Sequence, residues 1–454
     1  MKYLAVIALT VTLGSYSSAQ GPVITSWLQN TTGNGTYYVS GNSTAIDNGI
    51  LFNCQEISYS SGYVYIQTTG VPAYPTGPFL DGNPSVAQDQ NVIFKFPRNP
   101  QQETGPATPT TPGRIGVFIN GASLFDFRDG VAWNSTTNSL CGGPGNPPCP
   151  GGPSTTMDWN RDAIPAEMDG FDCSKGHPAM GNYHHHQNPS AFKLDLNVVS
   201  TICNLYDADG LYTIDSSAHS PLIGYAYDGF PIYGAYGFAN EDGTGGVSRM
   251  KSGYELGNYT VRTHNADGVD VNDGPDVSPT YFLGCFREDY TFVNHPQEDY
   301  LDEHNGRWCI TPEYPNGTYA YFCTVDENWN SQYPYAVGPT FYGQHSNARV
   351  NAINEAVTVY NASNASISED EFTNLMVTIY PNPAADLIAI QIGGLVKENL
   401  SIEMIDLKGA VVGSHQINAG QTIAYFDVST VYAGSYFIRI SNGDYQTIRK
   451  VMVK

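Results

Sequence analysis

The sequence predicts a mainly β protein, in which a large β-rich domain with long loops is followed by a small β-sandwich. Three observations carry that prediction. Gly 47, Pro 29 and Tyr 32, with charged residues at only 14%, describe strands broken by many turns. Short apolar and β-branched runs recur between turn residues, and helical periodicity is hard to find. The charge is also divided. From Leu375 onward six acidic residues meet six basic ones, so the whole net charge of −23 lies before that point. Two modules with different surfaces follow.

Residues 1–19 place Lys2, an apolar stretch from Leu4 to Leu13 and the small residues Ser17 and Ala19 in the order of a secretory signal peptide. That apolar core is too short to span a bilayer. No later run is long enough either, so no transmembrane segment is expected in the mature chain. The 8 Cys, spread from Cys54 to Cys323, are even in number and lack any C-x-x-C pair. In an oxidising compartment they predict up to four disulfides rather than a zinc finger.

Residues 20–345 form the body. "SGYVYIQTTG", "NVIFKFPRNP", "RIGVFING", "LIGYAYDGFPIYGAYGF" and "GTYAYFCTV" read as strands bounded by turns. "GPATPTTPG" and "GGPGNPPCPGGPS" read as surface loops, because proline cannot sit in a central strand. The acidic body repels phosphate backbones, which excludes nucleic acid as a partner class, and it suits cations.

Residues 346–374, with a small-polar and acidic stretch from Asn361 to Glu371, read as a linker. Residues 375–454 then read strand by strand. "LMVTIYPNPAADLIAIQI" gives two strands around a Pro-Asn-Pro turn, "LSIEMIDLKGAVV" turns at Lys408-Gly409, and the last segment closes a hairpin through Asn442-Gly443. In their order "YPNPAAD", "DLKGAVV", "GSYFIRI" and "TIRKVMVK" resemble the type IX secretion system C-terminal sorting domain, subtype A. The resemblance implies recognition by the type IX machinery, export to the surface or medium, and removal of the tail.

The body also resembles a family. "GRIGVFINGASLFDFRDG", "FDCSKGHPAMGNYHHHQNP", "HSPLIGYAYDGFPIYGAYG" and "GTYAYFCTVDENWNSQYPYAVGPTFYG" are similar to the YHYH-domain proteins. Tyr183-His184-His185-His186 departs from the motif in the family's name at His185, where tyrosine is expected. The resemblance implies no activity, so the histidines are read physically.

In an extended segment His184 and His186 share one face, with Tyr183 and His185 on the other. Two such imidazoles stand roughly 6–7 Å apart along the strand, which one divalent ion can bridge. His177, seven residues before His184 in "KGHPAMG", is a candidate third donor and His219 a fourth. Imidazole-rich sites favour copper or zinc over calcium. Glu167, Asp172 and Asp228, with Tyr183 and His185, are candidates to orient a ligand imidazole, act as acid or base, or complete the coordination. Asp228 reads equally as the cap of an Asp-Gly turn. Cys173 and Cys203 flank the segment, and a disulfide between them would brace it.

Other readings stay open at this point. The histidines read also as a hydrogen-bonded structural cluster or a metal-free site. His264, His295, His304 and His345 are isolated. "DADGLYTID" (207–215) and "NADGVDVNDGPD" (265–276) are candidate loops for structural calcium, though neither has the EF-hand pattern. No G-x-S-x-G, H-E-x-x-H, Walker or G-x-G-x-x-G signature occurs. Enzyme action therefore stays undecided. The competing class is a carbohydrate-binding or adhesive module, with Trp329 and Tyr333 of "DENWNSQYPY" as stacking residues for an extracellular glycan.

Overall fold

The computed structural model describes residues 20–360 and 376–454, apart from 43, 83–84, 153–156, 191–202, 204–209, 346–347, 394–399, 407–409, 419–422 and 442–445. The signal peptide, the heart of the linker, and the turns at Lys408-Gly409 and Asn442-Gly443 lie outside the described residues. The chain divides into two compact units at Val359.

The first unit is built on an eight-stranded mixed sheet. Its strands run in the order His177–Ala179, Asn182–His185, Ser123–Phe125, Arg114–Phe118, Leu222–Ala226, Pro231–Tyr233, Thr318–Phe322 and Gly306–Cys309. Pairing is antiparallel except at two joints: Asn182–His185 with Ser123–Phe125, and Pro231–Tyr233 with Thr318–Phe322. The inner strands Leu222–Ala226 and Thr318–Phe322, each paired on both sides, are buried at every residue, so they read as continuous apolar runs rather than alternating ones.

A five-stranded antiparallel sheet packs on this core, and one of its inner strands, Val92–Pro97, shows the expected alternation. In Val92–Pro97 the side chains of Val92, Phe94 and Phe96 are buried while their neighbours are half-buried. Phe96 lies 6.0 Å from the Tyr225 ring and 5.7 Å from Trp27, which joins the two sheets. Each aromatic buried this way contributes on the order of 2 kcal/mol.

The edges of this sheet are the short strands Arg349–Val350 and Thr358–Val359, paired to Val92–Pro97 and Cys54–Tyr59. The segment expected to be a linker from residue 346 is thus partly structural. Ala348 is fully buried, and the Lys95 N–H donates to its carbonyl at 2.6 Å. The spacing gave no hint, because edge strands of two residues carry too little periodicity.

The second unit is the expected sandwich. One sheet holds Met376–Tyr380, Leu387–Gly393 and Ile423–Asp427; the other holds Val411–Ile417, Leu400–Ile405, Gly434–Ser441 and Gln446–Val453. Ile388 and Ile390 from the first face Ile402, Met404, Ile438 and Ile440 from the second in one core. The strand Ile423–Asp427 was not anticipated. Among the described residues of either unit no helix is long and apolar enough to cross a membrane.

Of the expected disulfides, the described residues form two, Cys141–Cys149 and Cys173–Cys203. Cys54, Cys285, Cys309 and Cys323 are buried thiols.

Candidate metal centre

The centre is assembled by one hairpin. His177–Ala179 and Asn182–His185 pair antiparallel, with His177 opposite His184 and Ala179 opposite Asn182. The two residues between them, Met180 and Gly181, have φ of 50° and 82°. Positive φ at both positions is the type I′ geometry that matches the twist of paired strands. Gly181 is required there, since a Cβ would also lie 2.8 Å from Gln88. The turn sets the register, and the strand alternation puts His184 and His186 on the face that His177 shares.

Among the described residues His177, His184 and His186 are the only group of three or more metal-ligating side chains that the fold brings together. One donor atom from each lies within 4.8 Å of the others. All three side chains are buried. The tautomers follow from the partners. His184 Nδ1–H donates to the Asn182 carbonyl at 2.9 Å, and His186 Nδ1–H donates to the Asp126 carbonyl at 2.5 Å. A carbonyl can only accept, so each Nδ1 carries the hydrogen and each Nε2 a lone pair. These two Nε2 atoms stand 3.1 Å apart.

None of the three imidazoles takes up a second proton near neutral pH. Burial pushes the His186 imidazolium down to about 4 and His177 down to about 3, and the neighbouring imidazoles act in the same direction on His177. His184 is pushed well below the usual histidine range, by burial first and by His177 and His186 next.

Glu167 stands beside them. Its Oε2 is 3.4 Å from Nε2 of both His177 and His186. Neither Glu167 Oε2 nor His177 Nε2 has a hydrogen-bond partner, although both are buried. Burial raises the Glu167 carboxyl to about 8, with Asp129 adding to the rise. The residue ends the short helix Ala163–Glu167, whose N-cap, Asp162, accepts from the Ile164 N–H at 2.9 Å. With 27% of its side chain exposed, against 9% for His177 and 3% for His186, Glu167 marks the open side.

Aromatic rings close the other sides. Phe125 stacks on His184 at 3.9 Å, and Phe171 meets His177 edge-on at 4.9 Å. The segment "LFDFRDG" thus supplies both a wall and, through Asp126, a carbonyl that orients His186. Arg128 pairs with the Asp126 carboxylate at 2.6 Å and holds it in place.

The remaining candidates lie elsewhere. His219, expected as a fourth ligand, is not brought to the cluster. It donates from Nδ1 to the Ser220 carbonyl at 2.7 Å and packs against Tyr233 and Phe238. His185 points away from the cluster. Its Nδ1–H donates to the Lys175 carbonyl at 3.0 Å and its Nε2 accepts from the Tyr74 hydroxyl at 2.7 Å.

Tyr183 donates to Asp172 at 3.0 Å, and Asp172 also accepts from the N–H groups of Gly77, Ser174 and Gly176. Asp172 and Tyr183 therefore tie the turn before His177 to the next strand rather than meeting the histidines. Burial raises that carboxyl to about 7. The Cys173–Cys203 disulfide starts from the same turn. Asp228 fills the cap role: it accepts from the Phe230 N–H, the Gly343 N–H and the Tyr321 hydroxyl, the last at 2.6 Å.

Neither calcium loop forms a carboxylate cluster among the described residues. Residues 207–209 of the first fall outside them, and in the second Asn265 caps its own turn by accepting from the Val269 N–H. Nor do Trp329 and Tyr333 form an open platform. Tyr333 is 4% exposed and stacks on Tyr290, and the Trp329 indole N–H donates to the Tyr236 hydroxyl at 3.1 Å.

No curated protein matches the chain. A solved structure from Bacteroides vulgatus, described as a DUF3244 family protein with an immunoglobulin-like β-sandwich fold, is similar at 15% identity. That match covers 18% of this chain and 88% of the other, with a TM-score of 0.16. Residues 378–454 match the secretion system C-terminal sorting domain. The protein is accordingly exported to the cell surface or the medium, with its tail recognised by the type IX machinery. Residues 93–334, over half of the chain, match the family model described as YHYH protein. That span contains the hairpin, Glu167 and the carbonyl of Asp126, and by it the chain belongs to the YHYH protein family.

Proposed function

We propose that the exported protein binds one divalent transition ion, copper or zinc, through Nε2 of His177, His184 and His186, with Oε2 of Glu167 as the fourth donor. The observation that carries this reading is the 3.1 Å contact between two Nε2 lone pairs. Two unprotonated acceptors repel at that distance unless a cation lies between them. The donor set fits: zinc–nitrogen bonds of about 2.0–2.1 Å give a tetrahedron with edges of roughly 3.3 Å, close to the 3.1 and 3.4 Å separations found. Imidazole donors favour copper and zinc over harder ions.

A bound ion would supply a Lewis acid at a site that Phe125 and Phe171 shield on two sides. The chain's own residues orient the donors: Asn182 and Asp126 fix two tautomers, and the hairpin turn fixes the spacing. Elemental mass spectrometry on the exported protein is the test. About one equivalent of copper or zinc is expected, falling to background after dialysis in His184→Ala and His186→Ala. Metal-free wild-type protein that also takes up neither ion on titration would refute the reading.

A further inference from the structure

A second recess lies at the other end of the eight-stranded sheet. It is a cleft of about 400 Å³, within the roughly 300–1,000 Å³ of small-ligand sites. One wall is the Asp228-capped turn through Gly229, Phe230 and Pro231. The other is Trp308 on the outermost strand, Gly306–Cys309. Trp308 is 56% exposed although the other three residues of its strand are buried. Its indole rests against Gly317, where an added Cβ would come to 3.0 Å from Nε1.

Tyr342, across the cleft, is stacked on Tyr319 at 3.6 Å and meets Phe230 edge-on at 5.3 Å. The exposed Trp308 and the half-buried Tyr342 thus both line the same cleft. An exposed tryptophan that lines a cleft together with a second aromatic ring offers a flat apolar face on which a ligand can stack.

The rest of the lining names that ligand. Asn99, Gln101 and Gln102 supply amides, which donate and accept at once. Among the described residues the lining holds no carboxylate, so a cation has no partner there, and its one charge, Arg98, already donates to the Ser60 carbonyl at 3.0 Å. The net charge of −23 repels anionic polymers. We infer that this cleft binds a neutral oligosaccharide with equatorial hydroxyls, stacking the C–H face of a sugar ring on Trp308. With no pair of carboxylates it binds glycan rather than hydrolysing it.

The test is electrophoresis of the full-length protein through native gels containing xylan, cellulose-derived β-glucan or, as the charged control, alginate. Xylan or β-glucan should retard the wild type, with and without chelator, since no histidine lines the cleft. Trp308→Ala should weaken retardation at least about tenfold and Trp308→Phe should keep part of it. An unchanged thermal transition in both variants shows that the fold is intact, which an edge, exposed position favours. Retardation by alginate alone, by none of the three, or equally in wild type and Trp308→Ala, overturns the inference. None of these outcomes bears on metal content, which is read separately.

Discussion

His185 and its neighbours show how strand alternation separates the face that carries the histidine cluster from the opposite one. Its ring is fully buried, and both nitrogens are satisfied by Lys175 and Tyr74. His185→Ala should therefore leave the metal equivalent unchanged while lowering stability by about 2–3 kcal/mol, since it strands a buried hydroxyl and carbonyl. His177→Ala should instead lose the ion, and any loss of stability should be smaller when the wild type is compared in its metal-free form. Metal content and urea midpoints on the two variants check the pair, and metal loss in His185→Ala would break the assignment.

Asp162 gives a pH prediction at the same scale. Burial raises its carboxyl to about 8, despite hydrogen bonds from Tyr335 and Ile164 that pull it down. A carboxyl raised on folding binds protons more tightly in the native state. Its contribution is fully present below about 4 and is lost as pH rises through about 8. Asp162→Asn keeps the cap and cannot ionise. The wild type should lose thermal stability relative to Asp162→Asn between about pH 5 and pH 9, and a constant difference across that range would contradict the sign.

At the scale of elements, the hairpin shows what the sequence made legible. Alternation along an extended "YHHH" separates His184 and His186 from His185, and the glycine and proline around His177 announce a reversal. The place of Glu167 beside the histidines was harder to foresee, because it arrives on a five-residue helix whose position rests on long-range contacts. Asp162 N–H bonds to the Cys285 carbonyl, and Tyr335 donates to its carboxylate. No local spacing encodes such contacts, so Glu167, Asp172 and His219 look alike in the sequence. Trp308 was missed for the same reason: a lone tryptophan between Arg307 and Cys309 reads as core until the sheet's edge is known.

The hairpin turn itself is testable. Met180 is 95% exposed at φ 50°, a conformation that asparagine adopts more readily. Met180→Asn should stabilise the protein by a few tenths of a kcal/mol up to about 1 and leave metal affinity unchanged. Gly181→Ala should cost about 1 kcal/mol or more and weaken the ion, because moving the turn shifts His177 away from His184. Chemical unfolding and competitive chelation on both variants check this. Equal affinity in Gly181→Ala would mean that the register does not depend on the turn.

For the whole molecule, the boundary between the units decides where the chain can be shortened without unfolding the first unit. The sandwich has its own core, with Ile390, Ile402 and Ile438 fully buried, and its formal charges cancel. The first unit, however, needs the chain beyond residue 345. Arg349–Val350 and Thr358–Val359 are the two edges of its five-stranded sheet, and Glu355 accepts from the Tyr65 hydroxyl. Ending the chain after Tyr360 should therefore leave the body folded with its metal equivalent, but retained in the periplasm for want of the sorting domain. Ending it after His345 should also uncover Val92–Pro97 and Cys54–Tyr59. Exposed strands of that kind pair with other chains, so this shorter form should unfold at a lower temperature and aggregate. Cell fractionation separates the sorting effect, and thermal unfolding of the two purified truncations separates the folding effect. If both truncations melted alike, the two short strands would be dispensable and the body would indeed end near His345.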